Sequence, residues 1–153
     1  MIEIKKFAPN MNEIRKYMPK EVVDKIVFTW GDVVCNPYGL RLDPAIMRHE
    51  STHFTQQMRF GKNKFWQNFT LPRHRIEKWW KRYLRDYAFR LSQEIPAYQA
   101  QYREYKNVLK GKELEDMAVL LAKDLSSPLY GKLINTAQAL KAIKREIIYD
   151  FSV

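Results

Sequence analysis

The alternation of apolar and polar positions divides the chain into a short β-rich front and a long helical remainder. From Ile2 to Pro19 the residues IEIKKFAPNMNEIRKYMP predict a short strand or extended arm, then a short amphipathic helix around Met11 to Tyr17 that stops before Pro19. Two β-rich runs follow, Val22 to Trp30 and Val33 to Cys35, turned at Gly31-Asp32 and ended by Asn36-Pro37 and Gly39. They predict a small antiparallel hairpin or meander. Asp43-Pro44 then supplies an N-cap and a proline at the first helical position, so a helix opens at Pro44, runs to Met58 or Arg59 and closes at Gly61.

On that helix, at about 100° per residue, Ile46, Met47, Phe54 and Met58 form one arc and Arg48, Thr52, Thr55 and Arg59 the opposite one. His49 and His53 flank the apolar arc and Glu50 falls inside it, so all three are expected to face inward. After a connection containing Phe65, Trp66 and Pro72, a second helix is expected from about Arg73 to Leu91, with Ile76, Trp79, Trp80, Tyr83, Leu84, Tyr87 and Leu91 on one stripe. A third covers roughly Glu94 to Lys110, where Pro96 either sits in the first turn or interrupts a longer continuous helix. Two more are expected, Lys112 to Asp124 and about Leu129 to Ile148, separated by Ser126-Ser127-Pro128. The fold class is therefore α+β and mostly helical, a small antiparallel sheet packed on the helix of His49 with a helical C-terminal part.

A chain of 153 residues without repeats or linkers reads as one domain spanning 1–153. The single cysteine, Cys35, excludes an internal disulfide and a cysteine-based zinc knuckle, so a metal must be held by histidine and carboxylate. Cys35 itself, in a β run with no catalytic partner, reads as a small buried hydrophobe. The N-terminus MIEIKKFAPN lacks the apolar stretch of a secretion signal, and no run approaches the roughly 18 apolar residues of a membrane span. A cytoplasmic protein is expected. A net charge of +10 attracts anionic partners, and much of it lies between Arg73 and Arg90.

The chemistry lies in Ile46-Met47-Arg48-His49-Glu50-Ser51-Thr52-His53-Phe54, an HExxH motif on a helix. Residues four apart stack on one helical face, so both imidazoles can reach one Zn2+ at about 2.0–2.1 Å. Glu50 projects beside the metal and can take a proton from the attacking water. Two core histidines with an ion-paired glutamate would be the purely structural account. A catalytic zinc needs a third protein ligand. Position 59, where a metzincin carries histidine, is Arg59, and His74 stands between Arg73 and Arg75, a repulsive setting for a cation. Asp86, Glu94 and Glu104 remain; Glu94 is favoured because it projects at the angle of Ile76 and opens Glu94-Ile95-Pro96-Ala97-Tyr98, where Ala97 permits close helix packing.

HESTH followed about forty residues later by EIPAY resembles the gluzincins, zinc peptidases with two histidines and one glutamate as ligands. The chain is particularly similar to minigluzincins and to small HExxH proteins encoded by bacteriophages, in Leu42-Asp43-Pro44, Arg48-His49-Glu50, Ala97-Tyr98 and Leu129-Tyr130-Gly131, over roughly Val33 to Ala142. The resemblance implies a minimal zincin-like fold, His49, His53 and Glu94 as zinc ligands, and Glu50 as general base and acid. It also implies a peptide or protein substrate bound as an added strand near Val33 to Cys35, and, for a phage protein, the host cytoplasm or a virion as the place of action. Pro96 and the lack of Asn and Asp companions to the glutamate depart from thermolysin-like enzymes.

Amide hydrolysis also needs an oxyanion donor. Tyr98, one turn after Glu94, and Tyr130, in the loop-like Leu129-Tyr130-Gly131, are the candidate donors; the Trp79-Trp80 pair reads as core. Two other functions compete. One is a basic module that binds nucleic acid or an anionic surface through the Arg73 to Arg90 helix, with a structural HExxH. The other is a zinc hydrolase of cell-wall peptides.

Overall fold

Asp43 starts the helix that organises the molecule: its carboxylate accepts the Ile46 N–H at 2.8 Å, and Pro44 fills the first helical position. The computed structural model of the chain describes residues 1–23, 26–61 and 72–145; the expected positions of Phe65, Trp66 and the end of the last helix fall outside them. Helix α3 spans Pro44–Arg59, and Gly61, at φ 68°, takes the left-handed conformation that glycine adopts without steric cost at a helix end. Ahead of it stand α1 (Met11–Tyr17) and α2 (Lys20–Val23). The valines at 22 and 23 suit a strand by propensity, but their N–H groups bond to the Pro19 carbonyl and close a helical turn instead.

The sheet has three strands, β1 (Ile2–Ile4), β2 (Phe28–Trp30) and β3 (Val33–Cys35), in the order β1-β3-β2. The antiparallel hairpin β2–β3 sets Phe28 opposite Cys35, and the N-terminal arm adds β1 parallel to β3 with Ile2 opposite Val33. The sheet is thus mixed rather than purely antiparallel. Its central strand is β3, so the segment expected to accept a substrate strand has both edges occupied.

The expected helix from Arg73 to Leu91 is two, α4 (Pro72–Arg85) and α5 (Tyr87–Val108), because Asp86 leaves the helical conformation and its side chain caps the Phe89 N–H at 2.9 Å. Pro96 lies deep inside α5, so the longer helix is the form adopted. Helices α6 (Gly111–Leu125) and α7 (Thr136–Lys144) follow, joined through a 3-10 turn at Pro128–Tyr130. The expected helix beginning at Leu129 starts instead at Thr136, where Asn135 and Gln138 form a capping box. Trp79, Trp80, Tyr83 and Leu84 of α4, Leu121 and Leu125 of α6 and Ile143 of α7 are buried in the core. The molecule is mostly helical with a small sheet, and no described helix is long and apolar enough to cross a membrane.

Candidate metal centre

Helices α3 and α5 pack along each other and carry the site between them. The inward face of α3 is not its apolar arc. Ala45, His49, Glu50, His53 and Gln57 are its buried residues, whereas Ile46, Met47, Phe54 and Met58 are only partly covered. Hydrophobic phase misjudges the face because polar groups can be buried here, the histidines against α5 and Glu50 and Gln57 against β2 and its turn.

His49 Nε2 and His53 Nε2 are 3.1 Å apart, and the Glu94 carboxylate meets them at 3.5 Å and 3.2 Å respectively. All three residues are buried and their donor atoms could share one metal ion. Three ligands about 2 Å from a tetrahedral metal stand roughly 3.3 Å from one another, which is the spacing of these atoms. Glu94 Oε2 is buried and, apart from His49 Nε2 at 3.5 Å, has no hydrogen-bond partner among the described residues, a costly state that a cation would relieve.

The other imidazole nitrogens are tied down. His49 Nδ1 is 3.0 Å from Gln101 Oε1 and His53 Nδ1 is 2.9 Å from Gln56 Oε1. Gln56 Nε2 donates to the Gln93 carbonyl at 2.8 Å, which orients its oxygen toward the ring. Hydrogen bonding at Nδ1 leaves Nε2 of each ring directed at the common point, where it can ligate a metal once free of its proton, as in metal-ligating histidines. Behind Gln101, Tyr105 bonds to it and donates to Asp43 Oδ2 at 2.9 Å, linking the cap of α3 to a candidate ligand. Tyr83 gives Glu94 Oε1 a short hydrogen bond of 2.5 Å.

Burial disfavours charge on His53, but the Glu94 carboxylate beside it, helped by Glu50 and Gln56, outweighs this and raises its pKa to about 9. Burial likewise opposes the Glu94 charge, yet His53 and His49 hold its carboxyl well below the ordinary range. Glu50 projects into the same cavity, its Oε2 accepting from Thr29 Oγ1 at 2.6 Å. Tyr98 is buried with its ring edge-on to His49, and its hydroxyl lies 3.2 Å from that of Tyr130. Burial first, and then the Glu94 charge, push both phenols well above their usual pKa, so both stay protonated donors.

The rejected alternatives have other partners. Glu104 faces Arg48 at 3.9 Å, Asp86 caps α5 and pairs with Arg82, and His74 is exposed. Cys35 is buried, and burial followed by the Glu50 charge pushes its thiol up to about 11, which leaves it unreactive at neutral pH. The basic run is not a single face. Arg90 lies on α5, fully buried, donating to the carbonyls of Tyr83, Leu84 and Leu129; Arg75 is also buried, and Arg73 pairs with Glu77.

The structure brings His49, His53 and Glu94 together, with Glu50 and Tyr98 lining the same cavity; sequence reading misses Thr29, Tyr83, Gln56 and Gln101. Gln101, two turns after Glu94, shares its helical face and could have been found by phase. Tyr83 could not, because the break at Asp86 resets the phase between it and Glu94. No protein-family description, curated protein or solved structure matches the chain, so the reading of the site depends on its residues.

Proposed function

We propose that the protein is a zinc metallopeptidase with a minimal gluzincin-like site, in which His49, His53 and Glu94 hold the metal. When bound, zinc acidifies water and polarises the scissile carbonyl. The observation that carries this is the convergence of three buried donors, one with no other partner, around a point of tetrahedral ligand spacing. An HExxH that served packing alone would have no use for two Nε2 atoms aimed at each other.

Glu50 is the general base: Thr29 fixes one carboxylate oxygen, leaving the other to take a proton from the attacking water and return it to the departing amine. Tyr98, with Tyr130 behind it, donates to the developing oxyanion. The cavity at this point has a volume of about 300 Å³ and apolar walls that include Phe28, Leu42 and Ile46, suited to a peptide carrying an apolar side chain.

Zinc content and peptide turnover of purified variants test the proposal together. One zinc per chain should be lost in His49→Ala and Glu94→Ala and kept in Glu50→Gln, which should lose at least a hundredfold in turnover. Unchanged cleavage by Glu50→Gln would end the mechanism.

A further inference from the structure

Gln57 has a place in the site that a ligand-centred description does not use. It is fully buried on α3, and its amide donates to the Thr29 carbonyl at 2.9 Å and accepts the Gly31 N–H at 2.8 Å. Trp80 Nε1 also donates to the Thr29 carbonyl at 3.2 Å. At the outer edge of β2, beside Glu50, Gln57 thereby occupies the Thr29 carbonyl and the Gly31 N–H, two groups that an added peptide strand would use. With β3 paired on both sides as well, neither strand next to the site offers these groups to an extended polypeptide.

The cavity sits at the lower end of the range of about 300–1,000 Å³ typical of small-ligand sites, room for a chain end rather than a long segment. Among its described lining residues, Arg41 is the only cation besides the two histidines. It forms no ion pair with another described residue. Its backbone is held in place, while the residue itself is exposed. Asn36, fully buried, bonds the N–H and the carbonyl of Leu40 at 2.9 Å and 2.8 Å, and the Asp43 cap fixes the chain two residues after Arg41.

Resting on the peptidase reading above, we infer that the site is a carboxypeptidase's: Arg41 binds the substrate's terminal carboxylate, and Phe28, Leu40, Leu42 and Ile46 hold the apolar side chain of the last residue. An arginine fork suits a carboxylate; a site for a free amino terminus would need an acidic group to spare, and both acids among the described lining residues, Glu50 and Glu94, are already assigned. In the reaction the oxygen of water bonds to the last scissile carbonyl carbon. The C–N bond breaks toward nitrogen, and Glu50 passes the proton to the amine of the released amino acid.

The test uses the zinc-loaded full chain and two peptides of one sequence ending in phenylalanine, one with a free carboxylate and one amidated, with products identified by mass spectrometry. Release of phenylalanine alone, slowed at least tenfold by amidation, is expected. Arg41→Gln should keep its zinc, raise KM for the free peptide at least tenfold and abolish the difference between the two peptides, and Arg41→Lys should recover part of it. Internal cleavage, or equal rates on both peptides that Glu50→Gln abolishes, overturns the inference and leaves the peptidase reading standing. Absence of cleavage of either peptide removes both.

Discussion

The hydrogen bonds at the two Nδ1 atoms decide what the histidines can do, since they set which ring nitrogen keeps a lone pair for a metal. Replacing Gln101 or Gln56 by leucine should weaken zinc binding about 10- to 100-fold while leaving the ligands in place, as measured by competition with a chromophoric chelator. An unchanged affinity would show that the rings are oriented by packing alone. His53 adds a pH dependence. Its pKa of about 9 in the metal-free protein lies above the unfolded value, so zinc must displace a proton below pH 9. Affinity should therefore rise about tenfold per pH unit through the neutral range and level off near pH 9. The same shift stabilises metal-free protein fully below about pH 6.5 and is lost as pH rises through 9. Glu94, whose pKa is lowered, contributes above its unfolded value near 4.5 and loses that contribution as pH falls through its folded value. Both contributions are complete only between about pH 4.5 and 6.5, and urea titrations of metal-free protein should find this pair's stabilisation greatest there.

Among the elements, the break between α4 and α5 determines the site more than either helix alone. Asp86 caps the second, and Arg90 closes the first by taking the carbonyls of Tyr83 and Leu84. The same guanidinium holds the Leu129 carbonyl, next to Tyr130. Asp86→Ala should cost about 1 kcal/mol by loss of the cap, whereas Arg90→Met should cost more, about 3 kcal/mol or above, because three buried carbonyls lose their donor; urea denaturation compares them. Gly131 ends the 3-10 turn at φ 79°, and a Cβ there would stand 2.7 Å from the Tyr87 ring. Gly131→Ala should move Tyr130 and lower turnover without releasing zinc. A variant of wild-type activity would show that this turn does not position the tyrosine pair.

Across the whole molecule, the candidate ligands come from α3 and α5, so a metal bound there would tie these two helices together. Zinc at a hundred times its dissociation constant should stabilise the fold by about 2.7 kcal/mol. Thermal unfolding with and without zinc measures this, and Glu94→Ala should show no shift.

What the sequence determined by itself is local. Spacing of four places His49 and His53 on one face, Asp43-Pro44 starts their helix, and Gly61 ends it, because each depends only on backbone geometry within a turn or two. Glu94 is legible as a choice among three acids, although the continuous helix from which its angle is read does not exist. Tertiary structure decided the rest. It left the apolar arc of α3 half-covered, inserted β1 beside β3, buried Arg90, and brought Thr29, Tyr83 and Gln101 against Glu50, Glu94 and His49. Those contacts join residues far apart in the chain, and burying a polar group is favourable only once its distant partner has arrived.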